Sequence, residues 1–181
     1  MQDESSFESQ VAPHFAAGYN FARWMLRDPH AAEDAVHDAV LRALRYYAGM
    51  HGDNPKAWFL AITRRCCLDT LAHRRHQARG SAPEDDPFEP DDLCSDDAGP
   101  EELAMRQDRT TSLMAAIESL PTVYREVIVL RELDELSYKE IAQVAGIPIG
   151  TVMSRLARAR LLLQRSTLLD EVRTPIAAVR P

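Results

Sequence analysis

Thr151, Ser154, Arg155 and Arg158 recur at helical spacing and share one helix face. Arginine can bridge two acceptors on a guanine or clamp a phosphate, and Ser and Thr hydroxyls can meet either partner. That is chemistry for holding nucleic acid. The segment around these residues, "SYKEIAQVAGIPIGTVMSRLARARLLLQR", runs from Ser137 to Arg165. Ser137 and Glu140 form an S-x-x-E capping box, which starts a helix. Ala142 lies four residues before Gly146, and Val152 lies six beyond it. A small residue lets two helices approach, glycine permits the turn, and a branched apolar residue anchors the second helix. The spacing predicts a helix-turn-helix whose second helix offers its N-terminal half to the major groove.

Net charge points the other way, since the 181-residue chain carries a formal charge of −7. Such a charge opposes simple electrostatic adhesion to nucleic acid. The charges are segregated, however. Residues 54–80 hold Lys56, Arg64, Arg65, Arg74, Arg75 and Arg79 against one acid, Asp69. Residues 150–165 hold Arg155, Arg158, Arg160 and Arg165 and no acid. Between them lies "SAPEDDPFEPDDLCSDDAGPEE", acidic, proline-rich and without lysine or arginine. That spacer buries too little apolar surface to offset its ordering entropy, so a flexible linker is expected.

The elements that position the basic residues read as helices throughout. Asp28 caps a helix opened by Pro29, with Ala32, Val36, Ala39, Val40 and Leu44 expected inward. Glu33, Asp34, His37, Asp38 and Arg42 are expected outward. An earlier helix places Phe15, Tyr19, Ala22 and Leu26 on one stripe, and one after Pro55 does the same with Trp58, Ile62 and Cys66. Trp58 fits this apolar stripe better than it fits a base-stacking platform. After the spacer, helices are expected from Pro100 and from Pro121, the latter with Val127, Ile128, Leu130 and Leu133 inward. The fold class is therefore all-α: two small helical domains over 1–79 and 101–167, an acidic linker at 80–100, and a tail at 168–181.

Other chemistry is poorly supplied. No nucleophile–base pair, metal-ligand spacing or glycine-rich phosphate loop is present, so neither an enzyme nor a metal or cofactor site is expected. Cys66, Cys67 and Cys94 form no disulfide or zinc pattern, and a buried Cys66 or Cys67 is the expectation. His73 and His76 share a face beside two arginines and read as solvated polar surface. No apolar run approaches the roughly eighteen residues of a membrane span, and "MQDESSFESQ" is unlike a signal peptide. A cytoplasmic location with no membrane insertion is expected.

The arrangement closely resembles the extracytoplasmic-function (ECF) sigma factors of bacteria. "AAEDAVHDAVLRAL" looks like that family's polymerase-binding helix, with His37 where glutamine is usual and Val40 where an aromatic is common. "KAWFLAITRRCCLDTLAHRR" looks like its promoter-melting helix, with Arg65 in place of an asparagine and Ala72 where an arginine often follows. "LPTVYREVIVLRELDELSYKEIAQVAGIPIGTVMSRLARAR" matches its fourth region almost end to end. The resemblance spans about residues 10–78 and 105–165.

The resemblance implies a specificity subunit of RNA polymerase. Asp34, His37, Asp38 and Arg42 would meet core polymerase. Asp53, Asn54, Lys56, Arg64 and Arg65 would meet the minus-ten element. Thr151, Ser154, Arg155 and Arg158 would meet the minus-thirty-five element. Partners would be core RNA polymerase, promoter DNA and an anti-sigma protein, and the acidic linker would thread a basic polymerase channel. The alternative is a free-standing helix-turn-helix regulator. The second basic helix, at 54–75, argues against it.

Overall fold

The structure, a computed structural model, describes residues 2–50, 54–79 and 113–173, and the described residues form helices and turns only. The first lobe comprises α1 (Gln2–Gln10), a 3-10 turn (Ala12–His14), α2 (Phe15–Leu26), α3 (Pro29–Tyr46), a second 3-10 turn (Tyr47–Gly49) and α4 (Pro55–Arg79). The second lobe comprises α5 (113–119), α6 (Thr122–Ile128) with a π-helical extension (Val129–Leu133), α7 (Tyr138–Ala145) and α8 (Ile149–Arg173). The expected linker, the helix start at Pro100 and Cys94 lie outside the described residues.

In the first lobe α2, α3 and α4 pack on one another. Asp28 caps α3 as expected, accepting from the backbone N–H groups of His30 and Ala31. The buried face of α3 is Ala32, Ala35, Ala39 and Ala43. Val36 and Val40 are only partly buried, and Leu44 is 48% exposed. Leu44 is thus a correction: an alanine ridge lets neighbouring helices come close, and the larger side chains are left at the margin or outside. Phe21, Met25, Phe59 and Leu60 fill the centre. Phe15 and Tyr19 are half-buried around it, while Ala22 and Leu26 are fully inside. Cys66 and Cys67 are both buried free thiols. Burial pushes the Cys66 thiol up, and the Cys67 thiol up to about 12, so both behave as small apolar groups.

In the second lobe Val127, Ile128 and Leu130 are buried as expected, but Leu133 is 47% exposed. The π-helical turn explains it. A wider turn shifts the register, so that Val129 and Leu130 point inward and Leu133 rotates out. One continuous apolar core runs through both lobes.

Candidate nucleic-acid interface

Ser137 caps α7 and Glu140 closes the box, with the Ser137 hydroxyl accepting from Glu140 N–H and the Glu140 carboxylate accepting from Ser137 N–H. The two hydrogen bonds from Ser137 hold the Glu140 carboxyl below its ordinary range, and the Asn54 amide adds to them. Gly146 ends α7 at φ +64°, a left-handed conformation that glycine adopts without strain. Ala142 carbonyl accepts from Gly146 N–H and from Ile147 N–H, at 3.1 Å for the latter, which closes the helix end. α8 then starts at Ile149, and Val152, Leu156 and Ala159 bury its inner face. This is the helix-turn-helix that the Ala-Gly-Val spacing predicts.

Burying that inner face leaves Ser154 and Arg158 exposed on α8, with Thr151 and Arg155 half-exposed beside them. Ser154 Oγ donates to the Thr151 carbonyl at 3.0 Å. Arg155 and Arg158 make no ion pair among the described residues, whereas Arg160 is held by Glu132 at 2.8 Å. Met153 is 54% exposed beside Ser154 and Ile149 50% exposed at the helix start. Both are apolar groups suited to a thymine methyl, and neither was picked out by charge pattern.

The other basic cluster sits on α4. Asn54 caps this helix, its Oδ1 accepting from Ala57 N–H at 3.0 Å. Asn54, Lys56 and Arg64 lie along the edge of α4 that faces the second lobe, and each is held there. The Asn54 amide donates to Glu140, and Arg64 Nε donates to Glu126. Lys56 Nζ donates to the Asp134 carbonyl at 2.5 Å and stands 3.7 Å from its carboxylate. Arg65 points away from the other three. It lines a shallow groove with Trp58, Ala61 and Ile62 of α4 and Arg42, Arg45 and Tyr46 of α3. Trp58 is half-buried, part core and part groove wall. Asp53 lies outside the described residues.

On α3, Asp34, His37 and Asp38 are exposed and Arg42 is half-exposed. Arg42 Nη1 donates to Asp69 Oδ2 at 3.0 Å, which raises the guanidinium above its ordinary range and ties α3 to α4. Leu41 and Tyr46, at 52% and 61% exposure, continue this surface. Sequence periodicity missed them because apolar residues on a helix read as core. Among the described residues no group of His, Cys, Asp and Glu could hold a metal ion.

Comparison with known proteins agrees with this layout. Residues 12–79 match Sigma-70 region 2, and residues 110–163 match Sigma-70, region 4. The chain is 30% identical over 159 residues to the ECF RNA polymerase sigma factor SigE of Mycolicibacterium smegmatis, covering 88% of this chain and 60% of that protein. It is 35% identical over 131 residues to the ECF RNA polymerase sigma-E factor of Escherichia coli K12, covering 70% of this chain and 69% of that one. Among solved structures, the sigma factor RpoE of Bartonella quintana, in complex with the anti-sigma factor NepR, superposes with a TM-score of 0.70 at 26% identity. That match covers 91% of this chain and 98% of the other. CnrH, in complex with the cytosolic domain of CnrY, superposes at 0.61 with 27% identity, covering 93% and 90%. Both basic helices therefore stand in regions that sigma factors share, and the chain belongs to the ECF group of the sigma-70 RNA polymerase sigma factors.

Proposed function

We propose that this protein binds core RNA polymerase in the cytoplasm and directs it to a particular set of promoters, acting as a specificity subunit and not as an enzyme. The helix-turn-helix carries the reading: its inner face is consumed by Val152, Leu156 and Ala159, so Thr151, Ser154, Arg155 and Arg158 are left for duplex DNA. These four take the minus-thirty-five element, the arginines meeting guanine edges or phosphates. Asn54, Lys56, Arg64 and Arg65, with Asp53 in the preceding loop, take the minus-ten element. Asn54 suits a base edge, and the arginines suit the phosphates of an opened strand. Asp34, His37, Asp38 and Arg42 dock on core polymerase, and the exposed Leu41 beside them adds apolar area.

One solved relative, the sigma factor RpoE, is in complex with the anti-sigma factor NepR, and an anti-sigma partner is proposed here on that likeness. The deciding experiment mixes the chain with core RNA polymerase and measures promoter-dependent transcription in vitro. Transcription only when both are present is expected. No transcription with core enzyme, together with tight binding of the isolated chain to duplex DNA, would favour the free-standing regulator.

A further inference from the structure

The C5-methyl of thymine is the one alkyl group that unmodified DNA presents in its major groove, where the other features to be read are hydrogen-bond donors and acceptors. α8 carries surfaces suited to both. Val152, Leu156 and Ala159 turn inward, and the side left outward divides along the helix. Thr151 and Arg155 stand on one flank, with Ser154 and Arg158 along the middle. Ile149, Met153 and Ala157 form the other flank at four-residue spacing, and all three are exposed. We infer that Met153, between Ile149 and Ala157, selects thymine at one position of the minus-thirty-five element by packing on its methyl group.

Single exposed apolar side chains are ordinary on a protein surface. These three differ in place: they stand in the N-terminal half of the second helix of a helix-turn-helix, the part that meets base edges, and they alternate with Ser154, Arg155 and Arg158. A methionine pressed on a base edge removes water from it and returns no hydrogen bond. On guanine, adenine or cytosine that leaves a donor or acceptor unsatisfied, which disfavours those bases. On thymine, two apolar groups leave water together. Met153 is 54% exposed and Ile149 50%, so both have surface left to bury, and the unbranched thioether adapts its shape to the methyl it meets. Ser154, next in the chain, commits its hydroxyl proton to the Thr151 carbonyl at 3.0 Å, so it offers a base edge an acceptor and no donor.

This rests on the reading of α8 as the minus-thirty-five helix, and the test separates the two. Holoenzyme is assembled from core RNA polymerase and the full chain. Duplex templates randomised upstream of the start site are selected for binding and sequenced. Wild type should prefer thymine at one minus-thirty-five position that Met153→Ala no longer distinguishes, with the other preferences kept. That thymine is then replaced by deoxyuridine, which pairs identically and lacks the methyl. Wild type should bind the uracil template about fourfold more weakly, the loss expected when one methyl leaves an apolar contact. Met153→Ala should bind both templates equally, and Met153→Leu should keep most of the discrimination. Because Met153 is exposed, neither variant disturbs the core.

A selected element in which no thymine responds to loss of its methyl overturns the inference. So does a Met153→Ala holoenzyme that discriminates uracil as wild type does. Met153→Ala with every base preference intact would assign the apolar flank to a protein contact, which overturns it equally. The underlying reading is measured on the same templates with Arg155→Ala/Arg158→Ala, which should lose minus-thirty-five affinity. If that variant binds as wild type does, α8 does not read the element and the parent reading falls. Loss there without a methyl effect leaves the parent reading standing and removes only the role given to Met153.

Discussion

Lys56 Nζ, on the first turn of α4, stands 3.7 Å from Asp134 Oδ1, and Asp134 Oδ2 has no hydrogen-bond partner among the described residues. Burial raises the Asp134 carboxyl to about 6 from an ordinary 3.8, and Lys56 offsets only part of that. A carboxyl with a raised folded pKa holds its proton more tightly when folded. Its contribution to stability is full below about pH 4 and is lost as pH rises through about 6. Asp134→Asn removes the charge, so its advantage over wild type should grow across that window. By pH 7.5 it should gain about 1–3 kcal/mol relative to its difference at pH 4. Thermal unfolding of both chains from pH 4 to 7.5 checks this, and a flat difference contradicts it.

Why the sequence disclosed some of this and not the rest follows from range. The Asp28 cap, the Ser137–Glu140 box and the Gly146 turn are local, each settled within a few residues, and each stands where the spacing puts it. The basic face of α8 was legible for the same reason. The partners of Asn54, Lys56 and Arg64 lie 62–86 residues away, and no local pattern pairs a charge with an acid across such a gap. Leu44 and Leu133 failed differently. Periodicity marks an apolar residue as inward, but an alanine ridge on α3 and a π-helical turn after α6 moved the buried faces.

Gly18 illustrates a close approach that composition hides. It is buried in the middle of α2, where a Cβ would fall 2.5 Å from Phe59 Cε1 and 3.3 Å from Thr63 Oγ1. Alanine ordinarily favours a helix over glycine by up to about 1 kcal/mol. Here overpacking against a fully buried ring outweighs that gain, and Gly18→Ala should destabilise the chain by about 1–3 kcal/mol. Adding Phe59→Leu should recover part of the loss, as denaturant unfolding would show. A stabilised single variant would mean that the ring moves aside freely.

Gly146 tests the opposite case. Nothing lies within 4 Å of its Cβ position, so only the φ of +64° resists a side chain. Gly146→Ala should cost about 1–2 kcal/mol from backbone strain alone, and Gly146→Asn less, because asparagine tolerates the left-handed region. Thermal melts that rank alanine and asparagine equally would show that the left-handed backbone does not set the cost.

Arg155 and Arg158 should separate by chemistry in the holoenzyme. Arg155 is half-exposed one turn beyond Thr151, and Arg158 is more exposed a turn further along α8; in the proposed docking the first takes a base edge and the second a phosphate. Arg155→Ala should cost about 1–3 kcal/mol of promoter binding and relax preference at one minus-thirty-five position. Arg158→Ala should weaken binding to all sequences alike and reduce the slope of log affinity against log salt by about one. Binding of each holoenzyme to a promoter panel across a salt series measures both. If Arg155→Ala changes the salt slope and leaves base preference intact, the two roles are exchanged, and α8 enters the groove rotated from the orientation assigned to it.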